Sequence, residues 1–154
     1  MSNSEEFINQ LANKYGRKRE SLMPILQEVV EQFYYLSDEN MVNIAKELDI
    51  STADVYGTAT FYSFLATERQ GKYSIRVCQT IICDMKHKDD IIEAITEMLA
   101  IKPGETTPDG KFSLNFTNCL GWCHKGPAML INDEYYTELT PEKVKDILLS
   151  YMKK

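Results

Sequence analysis

A chain of 154 residues with 44% hydrophobic side chains has room for one ordinary domain or two small ones with real cores. Its formal net charge of -6 argues against nucleic acid or an anionic lipid surface as the partner. No apolar run approaches the roughly eighteen residues of a membrane span. The opening Met1-Ser2-Asn3-Ser4-Glu5-Glu6 has neither the basic start nor the apolar stretch of a secretion signal. The expected setting is therefore soluble, reducing and cytoplasmic, and any link to a membrane would run through a partner.

Residues 4–16 read as a helix, with Ser4 as its cap, Phe7, Leu11 and Tyr15 on one face and Gly16 as its stop. The basic run Arg17-Lys18-Arg19 reads as a solvated loop. A second helix is expected from Ser21 to Tyr35, because Leu22, Ile25, Leu26, Val29, Val30 and Phe33 form a broad apolar stripe. Pro24 falls in its first turn, where a missing amide costs little. Ser37 caps a third helix bearing Met41, Ile44, Ala45 and Leu48. Ser51 and Asp54 open a fourth in the manner of a capping box, running toward Phe61 and Phe64. Residues 1–70 thus read as a small helical bundle without metal ligands.

Past Glu68 the pattern turns mixed. Tyr73, Ile75 and Val77 alternate with Ser74 and Arg76, so a strand runs directly into Cys78. Asp89 to Leu99 is an amphipathic helix, and Lys102 to Gly110 is turn-rich. Phe112, Leu114 and Phe116 alternate in a second strand. A short apolar strand spans Pro127 to Ile131, and Asn132-Asp133 turns it back into Tyr135-Tyr136. Thr140-Pro141-Glu142 starts a last helix with an N-cap and a proline at the first helical position. The order β-α-β-β-α over residues 71–154 describes a small sheet with helices packed on it, as in thioredoxin-like domains.

The chemistry is concentrated in four cysteines. Cys78 and Cys83 have four residues between them, Cys119 and Cys123 have three, and the sequence holds no others. Two short-loop pairs brought together by a fold are what a four-thiolate metal site requires. A disulfide scaffold wants an oxidising compartment. A thioredoxin-type redox pair wants Cys-x-x-Cys, which neither pair supplies. Structural zinc is the serious rival, although its pairs most often enclose about two residues. The spacing favours an iron–sulfur cluster, and two remote pairs suit a [2Fe–2S] unit better than a four-iron site that crowds three cysteines into one loop. The two histidines, His87 and His124, read as solvated neighbours rather than ligands.

Met41 to Phe61 imitates a helix-turn-helix, which raises a redox-sensing DNA-binding regulator as a rival function. A recognition helix should offer Arg, Lys, Asn or Gln to base edges. This one offers Thr52, Ala53, Asp54, Val55, Tyr56, Gly57 and Thr58, so the electrostatics argue against it.

Several motifs together resemble one family. They are the two cysteine pairs with Asn118-Cys119-Leu120-Gly121, Lys125-Gly126-Pro127, Gly104-Glu105-Thr106-Thr107 and Ile131-Asn132-Asp133. In the helical half they are Met23-Pro24-Ile25-Leu26-Gln27-Glu28 and Val55-Tyr56-Gly57-Thr58-Ala59-Thr60-Phe61-Tyr62. From about Arg19 to Leu148 the chain resembles the thioredoxin-like [2Fe–2S] subunit, the E-type one, of NADH:quinone oxidoreductase (respiratory complex I). The gamma-type subunits of NAD(P)-linked hydrogenases and formate dehydrogenases are similar. The resemblance implies an α+β chain, with a docking bundle over residues 1–70 and a thioredoxin-like [2Fe–2S] domain over 71–154. It implies that Cys78, Cys83, Cys119 and Cys123 ligate one [2Fe–2S] cluster. FMN and NAD(P)H would be bound by a partner flavoprotein, further iron–sulfur subunits would belong to the same complex, and this chain would carry no catalytic centre of its own. No Gly-x-Gly-x-x-Gly fingerprint or nucleophile–base set suggests otherwise. The chain departs from the family pattern at Gln79-Thr80-Ile81-Ile82 and at Trp122, and Ile81, Ile82 and Trp122 are expected to shield the cluster from water.

Overall fold

A computed structural model describes residues 3–154 and divides the chain into two compact units at Arg69/Gln70. The first unit is wholly helical: α1 (Asn3–Tyr15), α2 (Leu22–Phe33), α3 (Asp38–Leu48) and α4 (Thr52–Phe61). Each helix turns an apolar stripe inward, so that Ile8, Leu11, Ile25, Leu26, Val29, Ile44 and Val55 meet in one core. Full burial of such a side chain contributes about 1.5–3 kcal/mol, which lets four short helices, each marginal alone, hold together.

The expected caps are mostly present. Ser37 accepts a hydrogen bond from the Asn40 amide at 3.1 Å, and Ser51 accepts from the Asp54 amide at 3.1 Å. Asp54 does not close a reciprocal box, because its carboxylate instead accepts from the Ser51 hydroxyl at 2.7 Å. Three boundaries differ from the sequence reading. The first helix already includes Asn3, so Ser4 lies inside its first turn rather than capping it. The second is preceded by a 3-10 turn over Arg19–Ser21, and Tyr34 ends it in the left-handed conformation at φ 69°. The fourth stops at Phe61, which leaves Phe64 outside it.

The second unit has four strands and three helices: β1 (Tyr73–Cys78), α5 (Ile81–Asp84), α6 (Lys88–Leu99), β2 (Phe112–Thr117), β3 (Met129–Ile131), β4 (Glu134–Tyr136) and α7 (Pro141–Met152). The sheet order is β2-β1-β3-β4. β1 and β2 are parallel, with Cys78 opposite Thr117, while β3 is antiparallel to β1, with Val77 opposite Met129. Ile75, Val77, Leu114, Met129 and Ile131 pack with Ile91, Ile95, Val144 and Leu148 of the helices in a second core. Gly71 permits close approach of the chain as it enters the sheet, since a Cβ there would lie 2.8 Å from the Phe112 backbone. The third strand begins at Met129 rather than Pro127, and the short helix α5, which carries Cys83, has no counterpart in the sequence reading.

This register fixes the place of the cysteines. Parallel neighbours end at the same edge of a sheet, so Cys78 and the segment that follows Thr117 emerge side by side. The antiparallel β3 begins at that same edge, which brings Gly126, Pro127 and Ala128 alongside. The Cys78 amide donates to Ala128 O at 3.2 Å and the Gln79 amide to Thr117 O at 3.0 Å.

Candidate metal centre

Cys78 is the last residue of β1 and Cys83 sits on α5, and they are 2% and 1% exposed. α5 follows β1 after two residues. Thr80, in extended conformation, precedes it, and its carbonyl accepts from the Cys83 and Asp84 amides at 3.0 Å each. The second pair is held differently. Cys119 is exposed, in the loop after β2, and Cys123, half-buried, opens a 3-10 turn over Cys123–Lys125. Their sulfurs are 3.3 Å apart. Gly121, at φ 81°, bends the loop so that its amide points at Cys119 Sγ, 3.3 Å away. An L-residue resists that conformation, which accounts for the glycine.

The two loops are stitched together by groups that carry no sulfur. The Leu120 amide of the second loop hydrogen-bonds Cys78 of the first. Lys86 Nζ donates to Cys123 O at 2.9 Å and to His124 O at 3.3 Å. Gly126 closes the third side, since a Cβ there would lie 3.4 Å from Cys83 Sγ and 3.3 Å from the Lys86 stem. Trp122 is half-buried and stacks on Tyr135 of β4, with ring centroids 4.8 Å apart and planes 16° from parallel.

The electrostatics of the sulfurs are mutual. Burial pushes the Cys78 thiol up, but hydrogen bonds from the Thr80 hydroxyl and amide, Cys83 and the Leu120 amide outweigh it and leave Cys78 below the usual cysteine range. Cys83 is raised by burial and then by Cys78. Cys123 is raised by its hydrogen bond with Cys119, then by burial, and further by the charges of Cys119, Cys78 and Cys83. Four thiolates in this space repel one another unless a cationic centre sits among them, which is the demand an iron–sulfur core satisfies. Among the described residues no three histidine, cysteine or carboxylate side chains gather round one point to hold a single ion. The sulfurs come as two pairs, one from β1 and α5 and one from the loop after β2, and paired thiolates are a donor set that two irons take.

A family model for the thioredoxin-like [2Fe–2S] ferredoxin matches residues 8–152, nearly the whole chain. The chain belongs to the thioredoxin-like [2Fe–2S] ferredoxin family. The cofactor that goes with the family is a [2Fe–2S] cluster, and the donor set just described fits it. The chain is 35% identical over 149 residues to NADH-quinone oxidoreductase subunit 2 of Thermus thermophilus, covering 95% of this chain and 82% of that one. It is 35% identical over 146 residues to the NADP-reducing hydrogenase subunit HndA of Solidesulfovibrio fructosivorans, covering 95% and 83%. Against the E-type NADH-quinone oxidoreductase subunit of Salmonella typhimurium the identity is 37%, with 95% and 88% covered. The chain also superposes on a crystal structure of an NAD+-reducing [NiFe]-hydrogenase in the H2-reduced state, with a TM-score of 0.78 and 20% identity. That match covers 90% of this chain and 23% of the hydrogenase chain, and it establishes the shared fold.

Within this ferredoxin family fold, other sequence expectations meet the structure unevenly. Ile81 and Ile82 do not fold over the sulfurs. They are 70% and 40% exposed, because α5 turns its buried side toward Cys83. Trp122 is the most covered of the three. His87 and His124 are both exposed, His87 beside Asp90 at 3.8 Å and His124 against the Trp122 ring. Asp54 on α4 pairs with Arg19 at 3.5 Å, so the helix that imitates a DNA reader presents a carboxylate already engaged with a cation. No helix among the described residues is long and apolar enough to cross a membrane. Thr80, Lys86, Gly126 and Tyr135 complete the site, and sequence reasoning does not single them out as parts of it. Thr80 and Gly126 leave a trace there, in Gln79-Thr80-Ile81-Ile82 and Lys125-Gly126-Pro127.

Proposed function

We propose that this chain is the electron-transfer subunit of an NAD(P)H-linked oxidoreductase complex and holds one [2Fe–2S] cluster on Cys78, Cys83, Cys119 and Cys123. The observation that carries the reading is the convergence of two separate thiol pairs at one sheet edge, in a chain whose relatives are NADH-quinone oxidoreductase and NADP-reducing hydrogenase subunits. When bound, the cluster supplies reversible one-electron storage. The chain's own residues do the rest. The buried pair and the Leu120 and Gly121 amides fix and solvate the sulfurs, and the Trp122–Tyr135 stack limits water at the outer side. The chain serves the FMN of a partner flavoprotein that handles the nicotinamide, and it lacks a catalytic centre of its own.

The helical unit is read as the docking element. Tyr56, Phe61, Tyr62 and Phe64 are 54%, 79%, 37% and 47% exposed, and Phe61, Tyr62 and Phe64 touch edge to face or tilted in one cluster. A groove lined by Met41, Val42, Ala53 and Tyr56 lies between α3 and α4 and adds apolar surface. Aromatic residues left exposed in this way are typical of interface anchors. Anaerobic purification followed by iron and sulfide analysis, reduced-state EPR and co-purification tests the reading. Iron and acid-labile sulfide in equal amounts, about two of each per chain, a rhombic signal on reduction and a flavin-containing partner are expected. Zinc without sulfide, and failure to reconstitute with iron and sulfide, would refute it.

A further inference from the structure

We infer that Lys86 is a positioning residue for the cluster, its ammonium tying the two cysteine loops together across the site and favouring the cluster's reduced form. The inference rests on the four-cysteine ligation proposed above. Lys86 follows α5 and is anchored to the first loop through its own amide, which donates to Cys83 O at 3.1 Å. Its side chain crosses to the second loop and donates to two successive carbonyls, Cys123 O at 2.9 Å and His124 O at 3.3 Å. The stem passes Gly126 so closely that a Cβ there would stand 3.3 Å from it, and the same Cβ would stand 3.4 Å from Cys83 Sγ. The lysine is thus fixed at its backbone, its stem and its tip, and all three anchors are proposed ligand residues or lie close to them.

That placement has two consequences. The bridge spans 37 residues of sequence between Lys86 and Cys123 and ties the exposed second pair to the buried first pair. The ammonium is also a cation held on the Cys123 carbonyl, and its stem and Cys83 Sγ approach the same point at Gly126. One-electron reduction adds negative charge to the proposed cluster, so a nearby fixed cation stabilises the reduced form more than the oxidised one. Two carbonyl oxygens on one ammonium leave its charge in place, whereas a carboxylate partner would cancel it. The neighbouring Lys88 shows the contrast. It is buried against the Asp84 carboxylate, with its ammonium 5.7 Å from the Phe116 ring centroid, and so contributes packing rather than net charge.

The test compares the wild-type chain with Lys86→Met and Lys86→Arg, each purified anaerobically. Iron and sulfide content, the rate of cluster loss in the presence of a chelator, and midpoint potential by EPR-monitored redox titration are measured on all three. Lys86→Met is expected to lose its cluster several-fold faster and to titrate at a more negative potential, while Lys86→Arg keeps the wild-type potential and recovers most of the retention. Failure of Lys86→Met to load at all, with Lys86→Arg loading normally, also supports the inference, provided the unloaded proteins melt alike. A Lys86→Met chain with full cluster content, wild-type retention and an unchanged or less negative potential overturns it. So does Lys86→Arg behaving like Lys86→Met. A wild-type chain that carries no iron and sulfide removes the ligation itself and the inference with it, an outcome distinct from a loaded wild type with an indifferent lysine.

Discussion

Cys78 and Cys83 are held by regular structure, at the end of a central strand and on a short helix, whereas Cys119 and Cys123 are held by a loop. The first pair is almost wholly buried and the second lies at the surface. The difference arises from sheet position. β1 is flanked by β2 and β3, so what leaves its end is covered on both sides, but β2 is an edge strand and the loop after it faces outward. The four proposed ligands therefore comprise a buried half and an accessible half. Potential and lability of such a cluster follow solvent exposure and hydrogen bonding to sulfur, so the two halves should answer differently to the same chemical change.

The same substitution made in each half separates the two pairs most strongly. Cys83→Ser should abolish cluster binding, because a serine ligand must be deprotonated and a buried oxyanion is poorly solvated. Cys119→Ser should retain a cluster at reduced content, since water reaches its oxygen. Iron and sulfide analysis decides it, and equal loss in both variants would remove the asymmetry. Gly121→Val comes next. At φ 81° a branched residue is strained by at least about 1–2 kcal/mol, so the second pair should release its metal roughly tenfold faster, as followed by loss of visible absorption. Trp122→Ala should admit water to the outer half and raise the midpoint potential, because the more highly charged reduced form gains most from solvation. An unchanged or lower potential in an EPR-monitored redox titration would show that Trp122 shields nothing.

The smallest effect is expected on β4, next to the tyrosine that stacks on Trp122, where Tyr151 and Tyr136 donate to Glu134 at 2.6 and 2.7 Å. Those hydrogen bonds, with Tyr151 first, hold the Glu134 carboxyl below the usual range. A depressed folded-state value stabilises the fold above the unfolded carboxylate value of about 4.3, and that stability is lost as pH falls through the folded value. The melting temperature of the cluster-free chain should therefore drop on acidification through that window, and Glu134→Gln should flatten the drop. An identical acid profile in the variant would assign the dependence to other groups.

Local signals carry much of this fold. Alternation at Tyr73, Ile75 and Val77 and at Phe112, Leu114 and Phe116 reveals two strands, and Ser37, Ser51 and Thr140 mark three helix starts, because side-chain period and capping chemistry act within a few residues. α5 gives no such signal, because four residues carry no helical period, and its third residue is buried through contacts made elsewhere in the chain. The apolar pair Ile81-Ile82 suggests a shield, but on a single helical turn the side that buries Cys83 leaves its neighbours facing outward.

The four cysteines, their paired spacing and the division into a helical and a mixed half are legible along the chain. The sequence could not say that β1 and β2 are parallel neighbours, which is what delivers both pairs to one edge. Strand order is set by pairing between segments separated by tens of residues, and nothing in either segment states its partner. The same holds for Lys86, one lysine in a polar stretch, whose ammonium meets Cys123 and His124 only because the sheet brings two remote loops together. Ligand chemistry is written along the chain. The burial, the charge and the bridge that govern such a site come from contacts made across the fold.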